Sequence, residues 1–207
     1  LHDALPICFI ERTLPALERA GVEPTLIARR AQGWGARRLV AADPFCLGST
    51  WRDASFARAA RRAWKAGGFE LVQSHERIPG CDIYRAGDGV HAEWLTIRHA
   101  GSVLDPYHQY VCAVERRMFA HPALRAVICN SMMVRGEIER RFGVPAHKLH
   151  VIHGGVDLDF FHPRHRAALR AAARAGSQPA RRLVATARRS DAASSPHSRR
   201  AASTLVE

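Results

Sequence analysis

"RAVICNSMMVRGEIERRFGVPAHKLHVIHGGVD", Arg125–Asp157, is the stretch whose reading decides the fold. It opens with a short apolar run, Ala126 to Cys129, of strand-forming character. Ser131 follows, a residue type whose hydroxyl accepts a backbone N–H at the start of a helix. Val134, Ile138 and Phe142 then recur every fourth residue, which puts them on one helix face, and Gly143 is the natural stop. "KLHVI" is a second apolar strand running into Gly154 and Gly155. Strand, helix and strand in that order predict parallel strands covered by the intervening helix.

The same alternation extends toward the N-terminus. "DPYHQYVCAVERRMF" predicts a helix with Asp105 as N-cap, Pro106 at its first position and an apolar stripe of Tyr107, Tyr110, Val111, Val114 and Met118. "FELVQS" and "CDIYRAG" read as strands. "SFARAARRAWKAGG" predicts a helix with Phe56, Ala60, Ala63 and Trp64 on one face, Arg58, Arg61, Arg62 and Lys65 on the other, and a glycine pair as its end. "TLIAR" is a strand before it. "IERTLPALERAG" is a helix closed by Gly21, with Pro15 expected near its first turn, where a missing N–H costs least. The fold class is therefore α/β, a parallel sheet with helices on both faces, and ligands in such sheets bind at the carboxyl ends of the strands.

The two ends depart from this pattern. "LHDALPI", Leu1–Ile7, has the translated sequence of a short-read sequencing adapter and is expected to lie outside the native protein; an ordinary N-terminal segment is the other reading. From Arg164 to Glu207 the chain is mostly Ala, Arg and Ser, and is expected to be disordered or frame-shifted beyond a short helix around Ala167 to Arg174. The organised domain is thus expected over residues 8–163.

Composition narrows the function classes. With 47% hydrophobic residues the chain can build a packed core. No apolar run approaches the roughly 20 residues of a membrane-spanning helix. The cysteines, Cys8, Cys46, Cys81, Cys112 and Cys129, are odd in number and lack zinc-ligand spacing, so reduced thiols and a cytoplasmic location are expected. The formal charge of +12 raises the alternative of a basic nucleic-acid-binding module. Ten Arg against two acids place +8 of it in the tail, however, and the aromatic residues fall on apolar helix faces rather than among basic residues.

The polar window "SHERIPGCDIYRAGDGVHAEW", Ser74–Trp94, carries the chemistry. His75, Glu76 and Arg77 leave the carboxyl end of one strand, and Asp88 and His91 leave that of the next, so both clusters are expected on one crevice. A metal reading would take His75, Glu76, Asp88 and His91 as ligands, but no helical pair such as HExxH fixes two of them. Ordinary polar loops are the plainer alternative. Gly154 and Gly155 permit positive φ, and their amides could hold an anionic group such as a phosphate, although a glycine pair is also simply a turn.

Taken together, "RAVICNSMMVRGEIERRFGVPAHKLHVIHGGVDLDFFHP" resembles the end of the N-terminal domain in family 4 glycosyltransferases of the GT-B fold. "RIPGCDIYRAGDGVHAEW" and "ERRMFAHPALRAVICNS" are similar to the matching segments of the lipopolysaccharide core glucosyltransferases. The resemblance covers Phe9 to Pro163 and implies a Rossmann-like N-terminal half of a GT-B fold, truncated. It implies retaining transfer of a sugar from a nucleotide-sugar donor such as UDP-glucose, with no further cofactor or metal, to a lipopolysaccharide core or related surface glycan. A capsule polysaccharide or glycolipid acceptor is the alternative. Asp88 matches the acidic position beside the reacting sugars. His75, Glu76, Arg77, Tyr84 and His91 are the expected cleft-lining or acceptor residues. Gly154, Gly155 and Asp157 match the family's "nGVD" turn, with His153 and Gly154 departing from the usual residues before it. The first strand with its Gly-rich loop, and the donor-binding second domain, are not recognisable, so the polypeptide as written is expected to be inactive. Because acceptors of this class sit on the inner membrane, Arg58, Arg61, Arg62 and Lys65 near Trp64 are expected either to meet anionic headgroups, the enzyme being cytoplasmic and peripheral, or to form a solvated helix face.

Overall fold

The computed structural model describes residues 4–29, 38–97, 105–155, 162–166, 170 and 201–206. Its elements are α1 (Ala4–Arg19), β1 (Val22–Ala28), β2 (Arg38–Ala41), α2 (Ser49–Gly67), β3 (Leu71–Ser74), β4 (Ile83–Ala86), α3 (His91–Ile97), α4 (Pro106–Phe119), β5 (Ala126–Cys129), α5 (Met132–Phe142), β6 (Leu149–Val151) and β7 (Ala201–Val206). All strand pairings are parallel and make one sheet in the order β2-β1-β7-β3-β4-β5-β6. The expected parallel α/β sheet is the one observed.

The local signals act as read. Asp105 accepts the N–H of Tyr107 at the start of α4, and Ser131 accepts that of Val134 at the start of α5. Gly143 closes α5 at φ 64, a left-handed conformation that a Cβ would disfavour. Strand β1 shows why both sheet faces are covered. Leu26 and Ala28 point to one face and pack with Ile10 and Leu14 of α1; Ile27 points to the other, into the main core with Phe56, Ala60 and Trp64 of α2. Strands β3, β4 and β5 instead alternate, with Val72, Ser74, Tyr84, Ala86, Val127 and Cys129 inward.

Three expectations change. Helix α1 starts at Ala4, inside the segment read as adapter, so Pro15 lies within the helix and not in its first turn. Trp64 is buried in the core with Phe56 and Ala60, because it shares their helix face, and so cannot accompany the cationic face to a membrane. The tail contributes β7, which pairs with β1 on one side and β3 on the other. Averaged composition hid this: "STLV" brings the β-branched Thr204 and Val206 and the apolar Leu205 to the end of an otherwise Ala- and Arg-rich segment. Most of the helix expected over 167–174 lies outside the described residues.

Contacts divide the chain into two compact units, residues 1–153 with 199–207, and Gly154–Ser198. Among the described residues of the second, a 3-10 turn, Pro163–His165, is capped by the His162 ring, which accepts the N–H of Arg164.

Candidate active site

The pairing of Gln73 with Ile83 and of Ser74 with Tyr84 aligns β3 and β4, so their following loops emerge side by side at the carboxyl edge. Each loop is held locally. The Ser74 hydroxyl donates to the Glu76 carbonyl at 2.7 Å, and the Ile78 N–H donates to the same carbonyl. Asn130, leaving β5, donates its side-chain amide to the Gly87 carbonyl at 2.6 Å and so braces the loop that carries Asp88. Gly89 holds φ 76, which lets that loop reverse into α3.

The structure brings His75, Glu76, Arg77, Asp88 and His91 to this one rim. Asp88 is exposed and lies within electrostatic reach of Glu76, Arg77 and Arg85. Glu76 is surface-exposed yet crowded. Displaced solvent raises its pKa, Arg77 opposes this, and the like charges of Asp53 and Asp88 add to the rise. Glu76, expected to line the cleft, therefore also places a second carboxylate near Asp88. His75 meets Gln73 Nε2 at 3.1 Å, and desolvation, then the charge of Arg85, lowers its pKa to about 4. It is a neutral imidazole at pH 7.

Glu115 is the residue that sequence reasoning missed, and it organises the rim from below. It is 1% exposed on α4. Its Oε1 accepts Arg77 Nε at 3.0 Å and the His91 N–H at 2.8 Å, while its Oε2 accepts the Ala92 N–H at 3.3 Å. One carboxylate thus neutralises the rim arginine and caps the start of α3, where the helix dipole also favours a negative charge. Burial draws the Arg77 pKa down, but the neighbouring Tyr84 and Glu115 outweigh it and hold the guanidinium more firmly protonated than usual. A signal was present in the sequence: Val111, Glu115 and Met118 share a helical face, so a glutamate stood where the apolar stripe should continue.

Two assignments are corrected. Tyr84 does not line the cleft. It points inward from β4, 2% exposed, edge-on to Phe119 with ring centroids 5.8 Å apart. The period of 2 along the strand sends Tyr84 and Ala86 to the core and leaves Arg85 on the other face. Gly154 and Gly155 do not adopt positive φ, and a Cβ on either would meet nothing within 4 Å, so neither position requires glycine for conformation or close packing. They open the second unit, and Asp157 lies outside the described residues. Among the described residues no group of three or more His, Cys, Asp or Glu is placed to hold a metal ion.

Beside the rim, α3 and α4 build a ring cluster. His91 stacks on Trp94 at 5.5 Å and meets His108 through Nε2 to Nδ1 at 3.0 Å. Tyr107 lies next to His108 and donates its hydroxyl to Asp53 Oδ2 at 3.0 Å, tying the start of α4 to α2.

A family model described as Glycosyltransferase Family 4 matches residues 9–160. A comparison with curated proteins finds no match. Among solved structures the chain is similar to the crystal structure of WaaG, a glycosyltransferase involved in lipopolysaccharide biosynthesis, with a TM-score of 0.65 at 15% identity over 73% of this chain and 42% of that one. At this identity the likeness concerns the fold, and the chain spans less than half the length of that structure.

Proposed function

The chain belongs to glycosyltransferase family 4, and from that premise we propose that it is the acceptor-side domain of a retaining enzyme that moves a sugar from a nucleotide-sugar donor onto a lipopolysaccharide core or related surface glycan. The observation that carries this reading is the rim itself: Asp88, His75, Glu76, Arg77 and His91 gathered at the carboxyl ends of adjacent parallel strands, where α/β sheets bind ligands.

In this reading Asp88 accepts a hydrogen bond from the attacking acceptor hydroxyl and assists departure of its proton. His75, neutral and partly buried, accepts or donates a hydrogen bond to a sugar hydroxyl. Arg77, fixed by Glu115, donates guanidinium N–H groups toward the developing leaving group. The donor, of the UDP-glucose kind, is held mainly by a donor-binding lobe across the crevice, and a capsule polysaccharide or glycolipid is the alternative acceptor. The enzyme works in the cytoplasm against the inner membrane. An exposed stripe of α2, Trp51, Arg58, Arg62 and Lys65, supports the latter contact, with Arg61 beside it and Phe45 and Leu47 exposed just before the helix.

The direct test uses an active family 4 enzyme carrying this domain with its donor lobe, assayed for transfer to lipopolysaccharide core oligosaccharide, capsule polysaccharide and glycolipid. Asp88→Ala is expected to lower transfer by about 10²–10⁴-fold while leaving thermal unfolding unchanged. Turnover within about threefold of the parent, less than a proton-transfer role can account for, removes Asp88 from the mechanism.

A further inference from the structure

We propose that the ring cluster of His91, Trp94, Tyr107 and His108 is a saccharide subsite that seats one pyranose ring of the acceptor glycan. The assignment rests on the glycosyltransferase reading above and adds to it the place where an acceptor sugar is recognised.

The argument starts from how the cluster is built. Trp94 remains 41% exposed although His91 stacks on it and His108 lies 5.8 Å away. The bond between the histidines uses His91 Nε2 and His108 Nδ1, which leaves His91 Nδ1 and His108 Nε2 directed to partners outside the pair. An indole face bordered by imidazole nitrogens matches a pyranose, which presents an apolar C–H face and a rim of hydroxyl groups. Core packing does not call for an indole here: the buried residues of α3 are Ala92 and Leu95, while Trp94 stays exposed.

The platform is also rigid. Glu115 anchors the first turn of α3, and Glu93 Oε1 pairs with Arg140 and Arg141 of α5 at 3.2 and 3.3 Å. Tyr107 is held by Asp53, which in turn pairs with Arg52 at 3.0 Å. A helix of 7 residues fixed at both its start and its outer face presents its rings in one geometry, which lowers the ordering cost of binding. The cluster is continuous with the catalytic rim, because His91 belongs to both and its N–H shares the Glu115 oxygen with Arg77. Asp88 stands in the loop that leads into α3, three residues before His91.

The experiment is a titration of the chain with lipid-free lipopolysaccharide core oligosaccharide, read by tryptophan fluorescence and by saturation-transfer NMR. Trp94→Ala is expected to weaken binding by about tenfold or more, and Trp94→Phe, which keeps an aromatic face, by no more than about threefold. Trp51→Ala, an exposed indole outside the cluster, leaves binding unchanged. Equal binding by wild type and Trp94→Ala, with circular dichroism confirming that both are folded, overturns the subsite but not the glycosyltransferase reading. Displacement of the oligosaccharide by UDP alone overturns it as well, since a nucleobase would then be the occupant. Failure of the wild-type chain to bind the oligosaccharide also overturns it, and the transfer assay with Asp88→Ala judges the enzyme reading separately.

Discussion

Removing the Glu115 carboxylate tests the physical core of the site. Glu115→Ala deletes the partner of Arg77 Nε and the acceptor of two α3 amides in one step. Breaking a buried ion pair from one side costs about 3–5 kcal/mol. Arg77 keeps 22% of its side chain exposed, so water recovers part of its hydration, and the loss should fall near the lower end, about 3 kcal/mol. For a domain of this size that lowers the melting temperature by about 6–12 °C. Glu115→Gln keeps one oxygen for Arg77 Nε and the His91 N–H but turns an NH2 toward the Ala92 N–H, and should cost about 1.5–3 kcal/mol, the worth of hydrogen bonds to a charged group. Arg77→Met combined with Glu115→Leu removes both charges. Only the uncapped amides of α3 then remain to be met, so this pair should be more stable than Glu115→Ala and still about 1–2 kcal/mol below wild type. Urea and thermal unfolding followed by circular dichroism measure these proteins together with the single variants Arg77→Met and Glu115→Leu, which complete the double-mutant cycle. A loss below about 1 kcal/mol for Glu115→Ala, or Arg77 and Glu115 effects that add within about 0.5 kcal/mol, refutes the argument that one carboxylate supports both the arginine and the helix.

Acid should act through His75. Its pKa falls from 6.5 to about 4 on folding, so between these values the unfolded chain takes up a proton that the native protein refuses. The stability is fully present above pH 6.5 and declines by about 3 kcal/mol as pH falls toward 4. His75→Gln should flatten that part of the stability profile, and identical profiles for the two proteins would show that His75 is not held neutral. Gly89→Ala, at φ 76 with ordinary contacts around the added methyl, should cost about 1–2 kcal/mol from the backbone alone. Gly154→Ala should instead change stability by less than about 1 kcal/mol, in the stabilising direction; equal losses at both glycines in denaturant unfolding would contradict this assignment. Replacing Arg58, Arg62 and Lys65 by Gln should abolish sedimentation with anionic vesicles and leave the weak binding to neutral ones unaltered, while equal binding to both vesicle types before mutation rules out the membrane contact.

Much of the site was legible because its signals are short-range. The order of strand and helix placed the His75 and Asp88 loops on one edge, since every crossover returns the chain in the same direction. The roles of Tyr84 and Glu115 were not legible, for complementary reasons. Tyr84 sits in a polar stretch, and only the phase of β4 shows that it points inward. Glu115 sits in an apolar stripe, and only its three donors explain why a carboxylate can be buried there.

What the sequence alone determined was local: Asp105 and Ser131 as caps, Gly143 as a stop, the helical periods, and from their alternation a parallel sheet of the α/β class. Each of these depends on residues within a turn or two of one another. The tertiary structure decided the long-range pairings, namely β7 between β1 and β3, Glu115 beneath Arg77 and the start of α3, and the rings of α3 against those of α4. These depend on which faces meet after the chain has crossed over, 38 residues apart for Arg77 and Glu115. Burial and a shared carboxylate are properties of that meeting, and no local period encodes them.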